Sequence, residues 1–318
     1  MFEGVFVLSH NGAKVVTELA ADRLKDQGAA KKGSGQGLGI FLVVVATLAL
    51  ATEAIAAKMA YRHGATVETT LTLRYVVAAA AFWTGMLVWR QPVRITLRQF
   101  LLIAAITLGG HATTVLALFY SFKFIPAGMA ILFLYAYPTI VAVLAYFVLN
   151  EPFIWRKGLA LALTFGGAAV ILGQPLHGLD MRGVVLALIA AFMNAIFYVA
   201  SARLLRDMSV WVFDTYLVTF AIVIFAALGA ATGRLSLDFA PQAWVWLVFL
   251  GLVATALALA AIFRGIQLIG ASRASIISTL EPAVTALLGF WLLSETLTVV
   301  QMAGGALILL GVFLQSRE

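Results

Sequence analysis

The chain has 318 residues, 63% of them hydrophobic and only 11% charged, with a formal net charge of +7. A soluble globular chain carries about 25% charged residues, so this composition excludes a single soluble domain, and its apolar content excludes disorder for the bulk of the chain. No cysteine is present, which removes disulfides, thiol catalysis and cysteine-based metal sites.

Residues 1–37 stand apart as a basic tail with Lys14, Arg23, Lys25, Lys31 and Lys32, closed by a linker from Gly33 to Gly37. The apolar stretch Val5–Leu8 is too short for a signal-peptide core and lacks a basic flank before it. Val15, Val16, Leu19 and Leu24 share a helical face that suits a membrane surface, but the Gly/Ser linker favours a solvated tail. From there apolar runs recur at 39–57, 69–89, 100–120, 126–148, 156–173, 182–202, 212–231, 242–263, 271–293 and 297–315. Each is near the ~20 residues that cross a bilayer as a helix, and none shows the alternation of barrel strands. The expected fold class is an all-α membrane protein of ten transmembrane helices. With the N-terminus in the cytoplasm, 15 of the 21 Lys and Arg fall on the cytoplasmic side and 6 on the other. That bias places both termini in the cytoplasm and explains the positive charge without nucleic acid.

The chain also repeats itself. A shift of 144 positions lays residues 125–167 on 269–311, pairing Ile125 with Ile269, Pro138 with Pro282, Leu149 with Leu293 and Glu151 with Glu295. The expected domains are a tail and linker (1–37), a first five-helix repeat (38–173) and a second (174–318). An odd number of helices inserts the second repeat upside down, an arrangement of secondary transporters that bind substrate near the midplane.

Few polar groups lie within the spans, and each is a candidate for function. Glu53 and Arg74 sit at matched depth on consecutive helices. They are read first as an ion pair, with snorkelling to the interface or a substrate-carboxylate anchor at Arg74 as alternatives. His111 lies mid-helix with Thr107 and Thr114 on its face, and it either lines a cavity or donates to a helix carbonyl. Tyr135 and Tyr137 are deep enough for cation–π contact. Asn194, Tyr198 and Ser201 form one polar stripe. Glu281 lies near a midplane with Ser278 and Thr285 on its face, poised for proton coupling, for binding an amine, or for a structural hydrogen bond. Pro138 and Pro282 are mid-span, as hinges or packing kinks. Glu151 and Glu295 follow Asn150 and Ser294, which read as N-caps of the next helices. Gly304 with Gly311, and Ala162 with Gly166, suit close helix packing or a homodimer. No second ligand stands four residues from His111, so no metal site is expected. No nucleophile elbow, zinc-protease motif or phosphate loop occurs, and no cofactor is expected.

Two five-helix repeats, each closing on a helix with a central Pro and a Leu-x-Glu exit, are similar to the EamA-type family of the drug/metabolite transporter superfamily. The similarity rests on Phe124–Gly128, Tyr135–Pro138 and Leu149–Glu151, and on Gly270–Pro282 and Leu293–Glu295. Lys58 and Arg74 sit where that family's first hairpin often carries Lys and Arg, and Thr52-Glu53 stands in place of its usual Trp-Gly. The resemblance covers residues 38–315 and implies a ten-helix carrier with a central cavity lined by both halves. The expected function is a secondary transporter, an exporter of small organic metabolites such as amino acids or drug-like compounds across a bacterial-type inner membrane by alternating access. Its expected partners are a small-molecule substrate and the lipid bilayer. The competing readings are a membrane-embedded enzyme acting on lipid-linked substrates and a non-transporting accessory subunit.

Overall fold

The computed structural model describes residues 35–90, 94–121, 124–125, 127–172, 180–281, 283–284, 287–288 and 299–316. The tail to residue 34, Pro282, Thr285, Trp291, Ser294 and Glu295 lie outside the described residues. All regular structure among the described residues is helical. Helix α1 spans Gly35–Arg62 and α2 spans Val67–Val88. Helix α3 runs through Leu97–Ala105, a π-helical turn Ile106–Ala112 and Thr113–Ser121. Then come α4 (Ala127–Leu134), α5 (Tyr137–Leu149) and α6 (Trp155–Leu172). The second repeat supplies α7 (Met181–Leu204) and α8 (Val210–Ala231). Helix α9 (Ala243–Ile269) contains the π-helical turn Leu252–Leu257. Helices α10 (Ala271–Ser278) and α11 (Val299–Ser316) complete the chain.

Local sequence sets several helix starts. The Thr66 side chain accepts from Thr69 N at 3.1 Å to cap α2. Thr96 and Gln99 form a reciprocal capping box on α3, and Asp180 accepts from Arg182 N at 2.9 Å on α7. Each cap satisfies backbone N–H groups that the first turn leaves unpaired.

Six helices (α1, α2, α3, α7, α8 and α9) are long and apolar enough to cross a bilayer. Their surroundings invert the soluble pattern. Leu87, Phe147, Trp155 and Val299 are exposed, whereas Arg74, Asp214, Thr215 and Ser275 are buried. Lipid would cover the exposed side chains, so apolar burial does little to hold such helices together, and close packing of small residues does more. Helix α11 lies along α6, where a Cβ on Gly311 would stand 2.9 Å from Ala160 O. Gly311 is thereby used within the chain. A Cβ on Gly166 would meet no other part of the chain within 4 Å.

The two repeats are interlaced. Helix α2 packs on α8, α1 on α9, α3 on α7, α5 on α10 and α6 on α11. Every one of these pairs joins one repeat to the other. Rocking one repeat as a rigid block would have to disturb all of these interfaces at once.

One contact sets the spacing at the centre. Gly251 of α9 lies so close to α2 that a Cβ would stand 2.4 Å from Val77 Cβ and 2.9 Å from Arg74 O. Gly251→Ala is expected to cost about 1–3 kcal/mol, as overpacking does in other tight contacts. A lowered thermal midpoint in detergent would register it, and an unchanged midpoint would refute the reading.

Candidate functional site

The polar residues of the interior sit where helices depart from regular geometry. Glu53 follows a turn at Thr52 that interrupts α1, with Thr52 Oγ1 donating to Ala49 O at 2.6 Å. His111 lies in the π-turn of α3, and Thr255 lies in that of α9. The chain breaks at Tyr135–Ala136 between α4 and α5, and again at Thr279–Leu280 after α10. The 144-residue shift superposes these features, taking Leu134 to Ser278, Tyr137 to Glu281 and His111 to Thr255. Irregular backbone at membrane depth survives where protein re-satisfies it or a cavity borders it, and π-bulges recur at functional sites. Thr113 and Thr255 hydroxyls donate five residues back, to Leu108 O and Leu250 O at 2.8 Å each, satisfying carbonyls the wider turns release.

Glu53 and Arg74 form a bidentate ion pair, with Nη1 to Oε1 at 2.6 Å and Nη2 to Oε2 at 3.3 Å. Arg74 Nε donates to Thr255 Oγ1 at 3.0 Å, so the guanidinium joins the two repeats. Its carbon lies 5.2 Å from the Tyr75 ring centroid, within cation–π range. The Glu53 side chain keeps 38% exposure against 9% for Arg74. A carboxylate open to lipid would be costly, and its pairing with Arg74 offsets that cost. Thr255→Val is expected to leave Arg74 Nε buried without an acceptor and to cost about 1–3 kcal/mol. A thermal midpoint equal to wild type would contradict that.

The cluster continues through aromatic rings. The Tyr75 hydroxyl is hydrogen-bonded to His111 Nε2, and the Tyr75 ring stacks on Phe225 at 5.5 Å. His111 lies 5.1 Å from Phe197. Tyr198 stands 5.3 Å from Tyr137, which stands 6.4 Å from Tyr135. The Tyr198 hydroxyl is hydrogen-bonded to those of Tyr137 and Ser278. Ser278 Oγ in turn donates to Ala274 O at 3.0 Å. Tyr135 donates to the Glu281 carboxyl. Glu281 has no basic partner among the described residues, and it lies within electrostatic reach of Glu53. The chemistry of the cluster is one neutralised ion pair, one carboxyl answered among the described residues by a phenol, and a wall of tyrosines.

Glu53, Arg74, His111, Tyr135, Tyr137, Tyr198, Ser278 and Glu281 thus come together in one cluster. Thr114 faces another way, because its hydroxyl donates to Gly110 O at 2.8 Å and reaches Ala190 O at 3.5 Å, gluing α3 to α7. Asn194 is half-buried on α7 and hydrogen-bonds none of these groups. Pro138 stands in the first turn of α5, where its missing N–H costs nothing, and the break precedes it. Sequence reasoning missed Thr255 and Tyr75, although the internal shift pairs Thr255 with His111. It also missed Asp214, fully buried on α8 with neither carboxyl oxygen hydrogen-bonded among the described residues. The N-cap reading of Asn150 is corrected. Asn150 is the left-handed C-cap of α5, with φ 57°, and Glu151 caps a helix of the other repeat.

Long apolar helices around a polar cluster built from both repeats are the layout of an integral, multi-pass membrane transporter. The chain matches the EamA-like transporter family over residues 37–173 and again over 181–317, two copies offset by the internal period, and it belongs to that family. An uncharacterized transporter of Archaeoglobus fulgidus is 30% identical over 60% of this chain and 67% of its own length. The uncharacterized transporter YdfC of Bacillus subtilis is 25% identical over 60% of this chain and 62% of its own. The uncharacterized transporter YcbK of the same organism is 25% identical over 84% of this chain and 88% of its own. The match spans just under two thirds of the length of YdfC. A solved crystal structure, 19% identical, superposes with a TM-score of 0.74 over 87% of this chain and 95% of its own, sharing the fold.

Proposed function

We propose that the protein is a secondary transporter that exports small organic metabolites carrying an amine, such as amino acids or drug-like compounds, by alternating access. In this reading ten helices cross a bacterial-type inner membrane as two inverted repeats with both termini in the cytoplasm. The observation that carries it is the single cluster of Glu53, Arg74, His111, Tyr135, Tyr198 and Glu281, assembled from both repeats at helix breaks. Arg74 is spent on Glu53, which leaves the Glu281 carboxyl and its tyrosines to meet a positive group on the substrate. Glu281 also serves as the exchange point for a proton. Because the repeats interlock, access switches by bending at Tyr135–Ala136 and Thr279–Leu280.

The test is a metabolite panel measured as efflux and uptake, in overexpressing cells and in proteoliposomes, with and without a pH gradient. Movement of an amine-bearing metabolite that responds to the gradient is expected. Movement identical in both conditions would replace proton coupling by facilitated diffusion. No movement of any panel member would return the protein to the accessory-subunit reading.

A further inference from the structure

At the end of the bundle where α5 finishes, one carboxylate ties the first repeat to the second. Asn150 turns the chain left-handed, and Glu151 N closes on Ala145 O at 3.2 Å. This points the Glu151 side chain at the N-terminus of α10, 120 residues away in sequence. Its Oε1 accepts from Ala271 N at 2.9 Å and its Oε2 from Ser272 N at 3.3 Å. Lys157 Nζ stands 3.8 Å from Oε2 and is itself held by Pro152 O at 2.8 Å. A carboxylate on the positive end of a helix, taking two backbone N–H groups, makes charge-assisted bonds of the stronger kind. Gly270 is fitted to it. Its φ of +86° disfavours a side chain, and a Cβ there would stand 2.7 Å from Glu151 Oε1.

What lies beside and beyond this contact gives it meaning. On one side is a cavity of about 560 Å³ lined by residues of both repeats, among them Glu151, Arg206, Arg264, Gln267 and Gly270. Beyond it, α10 runs only from Ala271 to Ser278 before the break at Thr279–Leu280 that presents Glu281 to the central cluster. Helix α10 is therefore a short, buried half-helix, held at its N-terminal end by Glu151 and ending at a break in the backbone next to the site.

We propose that α10 is the cytoplasmic gate of the transporter and that Glu151 is the latch that holds it shut. The inference rests on the transport reading above for its direction, with this end facing the cytoplasm. The 144-residue shift takes Glu151 to Glu295 and carries Ala127 onto Ala271. Glu295 lies outside the described residues.

The chain contains no cysteine, so an introduced one reports cleanly. Ser278→Cys places a nearly isosteric thiol at the inner end of α10. Its labelling by a membrane-impermeant maleimide is measured separately from the cytoplasmic side, in inside-out vesicles, and from the outer side, in spheroplasts. Adding Glu151→Ala is expected to raise cytoplasmic labelling about tenfold and to lower outer labelling, the shift that losing one strong hydrogen-bonded contact imposes on a two-state equilibrium. Glu151→Gln, which keeps one acceptor for Ala271 N, is expected to fall between, and it serves as the test if the alanine variant fails to fold. Unchanged labelling in a folded Glu151 variant would overturn the proposal. The readout needs no substrate. A labelling shift without any transported metabolite would leave the latch standing and remove the transport reading, whereas transport without a labelling shift would do the reverse.

Discussion

Replacing Arg74 with alanine is expected to cut transport at least about a hundredfold, a loss of about 3 kcal/mol of interaction at the central site. It is also expected to destabilise the fold. The guanidinium satisfies both oxygens of Glu53 and the hydroxyl of Thr255 at once, and it lies over Tyr75. Removing it strands a carboxylate in the interior, which costs about 3–5 kcal/mol where the partner stays fully buried. Glu53 keeps 38% side-chain exposure, so the lower end of that range is expected. Arg74→Lys supplies the charge but not the fork, because one ammonium cannot reach two carboxylate oxygens and Thr255 in the same geometry. It should recover much of the stability and little of the transport. The double replacement Glu53→Gln with Arg74→Met should also restore the thermal midpoint without restoring transport, separating folding from function. Near-normal transport by Arg74→Ala in proteoliposomes would show that the pair is structural only.

Glu281→Gln is expected to have an equally large effect on transport with almost none on the fold. The amide keeps an oxygen for the Tyr135 hydroxyl, so the hydrogen bond in the cluster survives while the ionisable group is lost. Stability within about 1 kcal/mol of wild type is expected, the scale of one neutral hydrogen bond. Transport should drop at least about a hundredfold if Glu281 meets the substrate amine, and the remaining rate should no longer respond to a pH gradient. Tyr135→Phe keeps the carboxylate and removes only its donor, and a loss of about tenfold is expected. A Glu281→Gln protein that transports at the wild-type rate with an unaltered response to the gradient would move the coupling group elsewhere. The first place to look would then be Asp214, the other acid buried in the described interior.

These two experiments probe residues that the sequence singled out for one reason. An ionisable side chain within a long apolar run is rare because it is costly, and Glu53, Arg74, His111 and Glu281 stood out by that rarity. Their contacts were less legible. Matched depth on consecutive helices pointed from Glu53 to Arg74, because two helices joined by a short turn are neighbours. Nothing local pointed from Arg74 to Thr255 or from Tyr135 to Glu281, which are more than a hundred residues apart and meet only because the repeats interlock. Thr114 shows where spacing stops informing. A polar residue on a shared helical face reads as cavity lining, but the Thr114 hydroxyl turns back to its own helix and to α7. Spacing gives the face of a helix and not what the face meets. Pro138 marked its break to within three residues, since a ring without an N–H fits best in a first turn. The π-turns left no such mark, because an extra residue in a helix changes no residue type.

By itself, then, the sequence determined that the chain is a helical membrane protein, that it is a tandem repeat offset by 144 residues, and which few charges lie within it. Those properties are additive: they follow from run lengths, composition and self-similarity, each legible one segment at a time. The tertiary structure alone decided that the repeats are interlaced rather than side by side, that Thr255 completes the Arg74 site, and that Glu151 caps a helix of the other repeat. The physical reason is that a buried polar group takes whichever partner the packing brings within about 3 Å. In a bundle held together by small residues at close approach, that partner is set by which backbones touch, a property of the assembled helices and of no single one.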